Sequence, residues 1–169
     1  NLPLGKVRDI TDKDWYPRGM TALYDAIGRT ATSVQRLHEK MSKKDRPDKV
    51  LFVIVTDGHE NNSQEYKTQE SILPIITDME ENHNWKFVYL GADPTEKAED
   101  AGIAIGVSAG NTLSWANTSA GTGNMYATLD SATTNYRGMT LTNDGSGTVS
   151  IGANAADTLM ADVTDGKGE

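Results

Sequence analysis

At 169 residues, 37% of them hydrophobic and 7% aromatic, the chain is long enough to bury a core as one domain, or one domain with an appendage, and too apolar to stay disordered. Its formal net charge of −8 and pI near 4.8 exclude general nucleic-acid binding, which needs a basic face to displace condensed counterions. Cysteine is absent, which closes off disulfides and thiolate metal sites; no apolar run reaches bilayer-spanning length and the first residues do not read as a signal peptide, so a soluble protein is expected.

Asn1–Trp15 has scattered apolar residues and a charged end and reads as an extended connection. It leads to Tyr16-Pro17-Arg18-Gly19, where Pro17 keeps its predecessor out of the helical region and Gly19 permits a tight bend. A helix is expected next. Leu23, Ile27, Val34, Leu37 and Met41 recur at helical spacing and make one apolar stripe facing a sheet. Thr21 falls at its start, where the hydroxyl can cap a free N–H. Asp25, one turn on, needs no role beyond favouring the helix dipole.

Ser42–Asp48 is a charged loop with Pro47 ending the helix. Val50–Val55 (VLFVIV) is too short for an ordinary helix and too uniformly apolar for a strand with one wet face. It is expected to be a strand buried on both faces of a mostly parallel sheet. The run stops at Thr56-Asp57-Gly58, and beyond a strand's carboxyl end is where open α/β sheets hold their ligands. Asp57 therefore either caps a turn or serves chemistry there. In the polar loop Gly58–Lys67, His59-Glu60 is not a zinc-protease motif, because Ser63 stands where a second histidine is required. Asn61-Asn62-Ser63 is a formal glycosylation acceptor, meaningful only in a secreted eukaryotic protein.

Thr68–His83 is expected to be a helix capped by Thr68, with Ile72, Ile75, Ile76 and Met79 on one face and Pro74 near its start. Trp85–Leu90 is a second strand, and its Gly91-Ala92-Asp93 turn puts Asp93 at another carboxyl end. A short helix over Pro94–Ala101 and a weaker third strand over Ile103–Val107 complete a strand–helix alternation that calls for a parallel sheet with right-handed crossovers. The composition then changes. Only 8 charged residues lie beyond Val107, against 32 before it.

Gly106-Val107-Ser108-Ala109-Gly110 fits the nucleophile-elbow pattern, but His38, His59 and His83 all precede Ser108, against the order of that triad. A small-residue turn is the better reading, and no other nucleophile–base pair or cofactor fingerprint marks an enzyme. Met139–Thr142 and Thr148–Ile151 either pair as a hairpin across Asn143–Gly147 or belong to a linker or attachment segment.

Taken together, GMTALYDAIG (Gly19–Gly28) and VIVTDGHENNS (Val53–Ser63) resemble the second and third motifs of the von Willebrand factor A domain, in particular its small bacterial and bacteriophage members. The resemblance covers about Asn1–Gly138 and implies a doubly wound, Rossmann-like α/β domain over 1–138, in which Asn124–Arg137 takes the place of the closing helix; the small-residue-rich C-terminal extension over 139–169 lies outside it. It also implies a divalent cation at the carboxyl edge of the sheet, in the family's metal-ion-dependent adhesion site. There Thr21 supplies a neutral oxygen and Asp57 a charged one. Mg²⁺ is the hard ion such oxygens favour, with an open position for a partner's carboxylate.

The family's first motif, Asp-x-Ser-x-Ser, does not precede Thr21, so the chain resembles such a domain without its opening third. Asp144-Gly145-Ser146-Gly147-Thr148 repeats that spacing downstream, where a hairpin turn explains it more simply than a rearranged site. The function expected is a non-enzymatic protein-binding or assembly module. The alternative is a structural component of a bacteriophage particle with a degenerate site, so the location implied is the bacterial cytoplasm or the virion. The family's first strand is the central one of its sheet, so the resemblance also implies that Val50–Val55 has an unpaired edge. That edge is expected to be filled by an N-terminal portion, by a neighbouring subunit in an oligomer or complex, or by Met139–Ile151 folding back.

Overall fold

The computed structural model describes residues 4–14, 19–92 and 97–138, together with the backbone of 141–143 and 149–151. Its elements are α1 (Leu23–Lys40), β1 (Val50–Thr56), α2 (Gln69–Asn82), β2 (Trp85–Gly91), α3 (Ala98–Ala104), β3 (Thr112–Ser114), α4 (Ser119–Gly138), β4 (Leu141–Asn143) and β5 (Val149–Ile151). The first three strands form an open parallel sheet in the order β1-β2-β3, with Phe52 opposite Phe87 and Tyr89 opposite Thr112. Helices lie on both of its faces, and the architecture is α/β. Among the described residues no helix is long and apolar enough to cross a membrane.

The period-2 alternation of each strand sorts its side chains between two cores. Ile54, Trp85, Phe87 and Tyr89 pack with Leu23, Ile27 and Ala31 of α1, Ile72, Ile76 and Met79 of α2, and Ala98 of α3. Within this layer Phe52, Trp85 and Phe87 stack, with the Phe52 and Phe87 rings 5.0 Å apart. On the other face Val88 and Leu90 meet Met125, Ala132 and Tyr136 of α4, flanked by Leu51, Val53, Leu113 and Trp115. Two groups pin α4 at the amino edge of the sheet. The Tyr136 hydroxyl donates to the Val50 carbonyl (2.9 Å), and Lys49 Nζ donates to the last-turn carbonyls of Tyr136 and Arg137, where a cation suits the helix dipole.

Several expectations need correction. Ile103–Val107 is not a strand: α3 runs through Ala104, and Ile105 and Val107 reach the core around Gly106, whose φ of 100° is a left-handed turn that leaves Ile103 exposed. The helix expected over Pro94–Ala101 starts later, at Ala98. The third strand is the three-residue β3. It exists because Tyr89 and Gly91 offer β2's free edge, and its hydrophobicity gave no sign of it.

The closing helix begins at Ser119 rather than Asn124, with Gly121 and Gly123 inside its first turns. Leu37 does not join the buried stripe but is 41% exposed, and Val34 is only partly buried. Thr68 holds the N-cap position of α2, but its side chain makes no capping hydrogen bond. β1, expected to be buried on both faces, is an edge strand: only Ile54 and Thr56 are buried, and Val55 is 49% exposed. Among the described residues the fold-back onto that edge does not occur, because β4 and β5 pair with each other, antiparallel, as the hairpin reading required.

Candidate cation site at the carboxyl edge of the sheet

β1 ends in a turn that its own last residue closes. Thr56 Oγ1 donates to the Gly58 carbonyl (2.6 Å) and accepts the Gly58 N–H (3.2 Å). The turn is therefore capped by Thr56, and Asp57 stands beside it as an exposed carboxylate.

The following loop is laid over the start of α1. That helix has Ala22 at its N-cap, which has no acceptor side chain, so its first N–H groups need partners from elsewhere. They find them in the loop. The Glu60 carboxylate accepts the Tyr24 N–H (2.8 Å), and Ser63 Oγ accepts the Asp25 N–H (2.9 Å) while donating to Glu60 (2.7 Å). Asn61 Oδ1 accepts the Thr21 N–H (2.7 Å), and the Thr21 carbonyl accepts the N–H groups of Asn61 and Asn62.

Asp25 returns the arrangement from the helix side. Its carboxylate, only 6% exposed, accepts three successive backbone N–H groups, from Gln64, Glu65 and Tyr66, at 2.8–3.0 Å. Arg29 stands 3.3 Å from it and also holds Glu65. The Tyr66 N–H foremost, then that of Gln64, hold the Asp25 carboxyl below the ordinary carboxylate range, with Glu65 and Arg29 adding to the effect. Burial pushes Glu60 up, but the hydrogen bonds from Tyr24, Ser63 and Asn62 together outweigh it and leave that carboxyl low as well. Asp25 is thus a structural latch, not merely a charge placed for the helix dipole.

This lacing brings the two expected cation ligands onto neighbouring loops. Thr21 Oγ1 lies 3.2 Å from where a Cβ on Gly58 would stand, so the hydroxyl faces the Asp57-Gly58 turn directly. Thr21 does not cap α1; that work falls to Glu60 and Ser63. The Thr21 backbone groups are engaged by the loop, whereas among the described residues neither its hydroxyl nor the Asp57 carboxylate takes part in a hydrogen bond or ion pair. A hydroxyl and a carboxylate fit a hard ion such as Mg²⁺ as part of its ligand set, the other positions falling to water or a partner. Among the described residues no group of three His, Cys, Asp or Glu side chains converges to hold a metal. Asp93 lies outside the described residues, as do Asp144, Ser146 and Thr148.

The neighbouring cleft between Tyr24, His59, Glu60, Gln69 and Tyr89 has a volume of about 30 Å³, room for a water rather than an organic substrate. Ser108 follows a helix and a left-handed glycine and precedes a single 3₁₀ turn, Ala109–Asn111, so the strand–turn–helix setting of a nucleophile elbow is absent there. Sequence reasoning overlooked the lacing residues Glu60, Asn61 and Ser63. The signal for them was the poor cap at Ala22, which obliges some other segment to supply acceptors. Scans against protein-family models and searches of curated proteins and of solved structures gave no match to this chain.

Proposed function

We propose that this chain is a non-enzymatic protein-binding or assembly module of von Willebrand A type, whose Thr21 and Asp57 contribute to a divalent-cation site that a partner carboxylate completes. The observation that supports it is the placement of the unspent Thr21 hydroxyl against the Asp57-Gly58 turn, at the sheet edge where α/β folds bind ligands. In this reading Asp57 carries the compensating charge and Thr21 adds a neutral oxygen. The Glu60, Asn61 and Asp25 lacing holds the two loops in register. A bound Mg²⁺ would supply the positive charge that recognises the partner's carboxylate.

Thermal melts with and without magnesium test this. Magnesium should raise the melting temperature of the parent protein, as any ligand of the folded state alone does, and Asp57→Ala should abolish the rise. Identical melts of the parent with and without magnesium would overturn the cation reading.

A second reading is a structural component of a bacteriophage particle, with a degenerate cation site. The open, half-exposed edge of β1 favours it, because that edge calls for a neighbour whether or not an ion binds.

A further inference from the structure

The loop around Thr21 and Asp57 turns its backbone donors inward. The Gly58 N–H goes to Thr56 Oγ1, the Thr21 N–H to Asn61 Oδ1, and the Asn62 and Ser63 N–H groups to the Glu60 carboxylate. Glu60 also accepts the Tyr24 N–H and the Ser63 hydroxyl, so its charge is satisfied within the protein. Asn61 is held differently. Its side-chain oxygen accepts the Thr21 N–H (2.7 Å) and its own N–H donates to the Thr21 carbonyl (3.0 Å), so side chain and backbone together clamp one residue.

A backbone N–H can be answered only by the oxygen of an amide side chain, so this clamp fixes which way the Asn61 amide faces: Oδ1 toward Thr21 and Nδ2 away from it. Asn61 is exposed, and among the described residues Nδ2 donates to nothing. Its neighbours differ. The Asn62 side chain is bonded to no described group, and Gln64 Nε2 is turned back to the Asn62 carbonyl. An ordered, unspent amide donor therefore stands on the residue bonded to Thr21, whose hydroxyl faces the Asp57-Gly58 turn. The ligand group that fits follows from these parts. A cation on Thr21 and Asp57 favours an anionic oxygen, and an N–H donor beside it favours a second oxygen, whereas an ammonium or guanidinium would meet that donor with donors of its own. A carboxylate carries both oxygens on one carbon. Because the amide is already ordered by Thr21, little conformational entropy is lost when it is used.

We propose that Asn61 is the specificity-determining residue of the cation site: its Nδ2–H donates to one oxygen of the partner's carboxylate while the other oxygen lies on the ion. The inference rests on the cation reading and narrows its ligand to a two-oxygen anion, from an Asp or Glu side chain or from a chain's C-terminus. A single neutral oxygen, such as a hydroxyl or a backbone carbonyl, leaves the Asn61 donor unanswered and is discriminated against.

The probes are N-acetylated glycine–serine hexapeptides added to the isotope-labelled full chain in saturating magnesium, with binding read by NMR. One has a central aspartate and an amidated C-terminus; another has no acidic side chain and a free C-terminal carboxylate, which separates the two sources. The neutral control has asparagine in place of the aspartate. The Asn61 side-chain N–H pair, identified as the one missing from the spectrum of Asn61→Asp, should move with at least one carboxylate peptide, stay with the control, and stay with every peptide once a chelator removes magnesium. Asn61→Asp keeps an oxygen for the Thr21 N–H but loses the donor, so magnesium should still raise the melting temperature while affinity for the carboxylate peptide falls about tenfold or more. Added charge alone would weaken that peptide too, so the control decides: offered an acceptor in place of a donor, Asn61→Asp should bind the asparagine peptide about tenfold more tightly than the parent does. Carboxylate binding that leaves the Asn61 pair unmoved, a parent that binds the asparagine peptide equally well, or an Asn61→Asp protein without that gain would each overturn the proposal. A kept magnesium response with no carboxylate uptake overturns it as well and leaves the cation site standing, whereas a parent without a magnesium response overturns the cation reading itself and this inference with it.

Discussion

Replacing Gly28 by alanine tests the contact between α1 and the lacing loop. In a helix interior the change to alanine ordinarily stabilises by about 1 kcal/mol through backbone entropy. At Gly28 the new Cβ would stand 2.6–2.8 Å from three ring carbons of Tyr66, where carbon atoms normally approach to about 3.5–4.0 Å. The ring has to retreat by about 1 Å. It is not free to do so, because the Tyr66 N–H is bonded to Asp25 at 2.8 Å and the ring packs against the core. Overpacking of this kind costs about 1–3 kcal/mol, so the clash outweighs the propensity gain and the net effect is a loss of about 1 kcal/mol. Gly123 in α4 is the control: nothing lies within 4 Å of its Cβ position, and Gly123→Ala should stabilise by about 0.5–1 kcal/mol. In thermal melts, at about 2–4 °C per kcal/mol for a chain of this size, the two variants should fall on opposite sides of the parent. Adding Tyr66→Ala to Gly28→Ala should restore the favourable sign. A Gly28→Ala protein that melts above the parent by as much as Gly123→Ala does would refute the reasoning.

Ile54→Ala, at a site 4% exposed between the sheet and its helices, should cost about 2–5 kcal/mol in denaturant unfolding, as buried large-to-small changes do. Tyr136→Phe removes the donor to the Val50 carbonyl and should cost about 1 kcal/mol by the same measurement. Because the Asp25 carboxyl is held low by its three N–H donors and Arg29, its contribution is complete above the unfolded value of about 3.9 and is lost as pH falls through the folded one. Asp25→Asn should therefore be less stable than the parent at pH 7, with the difference shrinking below about pH 4. Urea unfolding of the two proteins across that range checks it, and a gap that widens on acidification would contradict the latch.

The sequence by itself determined the elements whose signal is local. VLFVIV and WKFVYL were legible as strands because each is short, apolar and bounded by turn residues, and α1 and α2 because their apolar residues recur at helical spacing. Where glycine weakens that signal the boundaries slipped, as at Gly121 and Gly123 in α4. In Ile103–Val107 an apolar alternation that resembled a strand is produced by a helix end and a left-handed turn.

What no local pattern carries is which strand lies in the middle. The uniformly apolar β1 stands at the edge, and β2, which carries Lys86, is central, because lateral order depends on which strands the crossovers join. The candidate site divides in the same way. Asp57 could be placed at a strand's carboxyl end from the sequence, since that follows from a strand meeting a turn. Its proximity to Thr21, and the lacing of Asp25, Glu60, Asn61 and Ser63 that creates it, join residues about 40 positions apart. Only the tertiary structure decides those contacts, because they form when the sheet and α1 bring two separate loops to one edge.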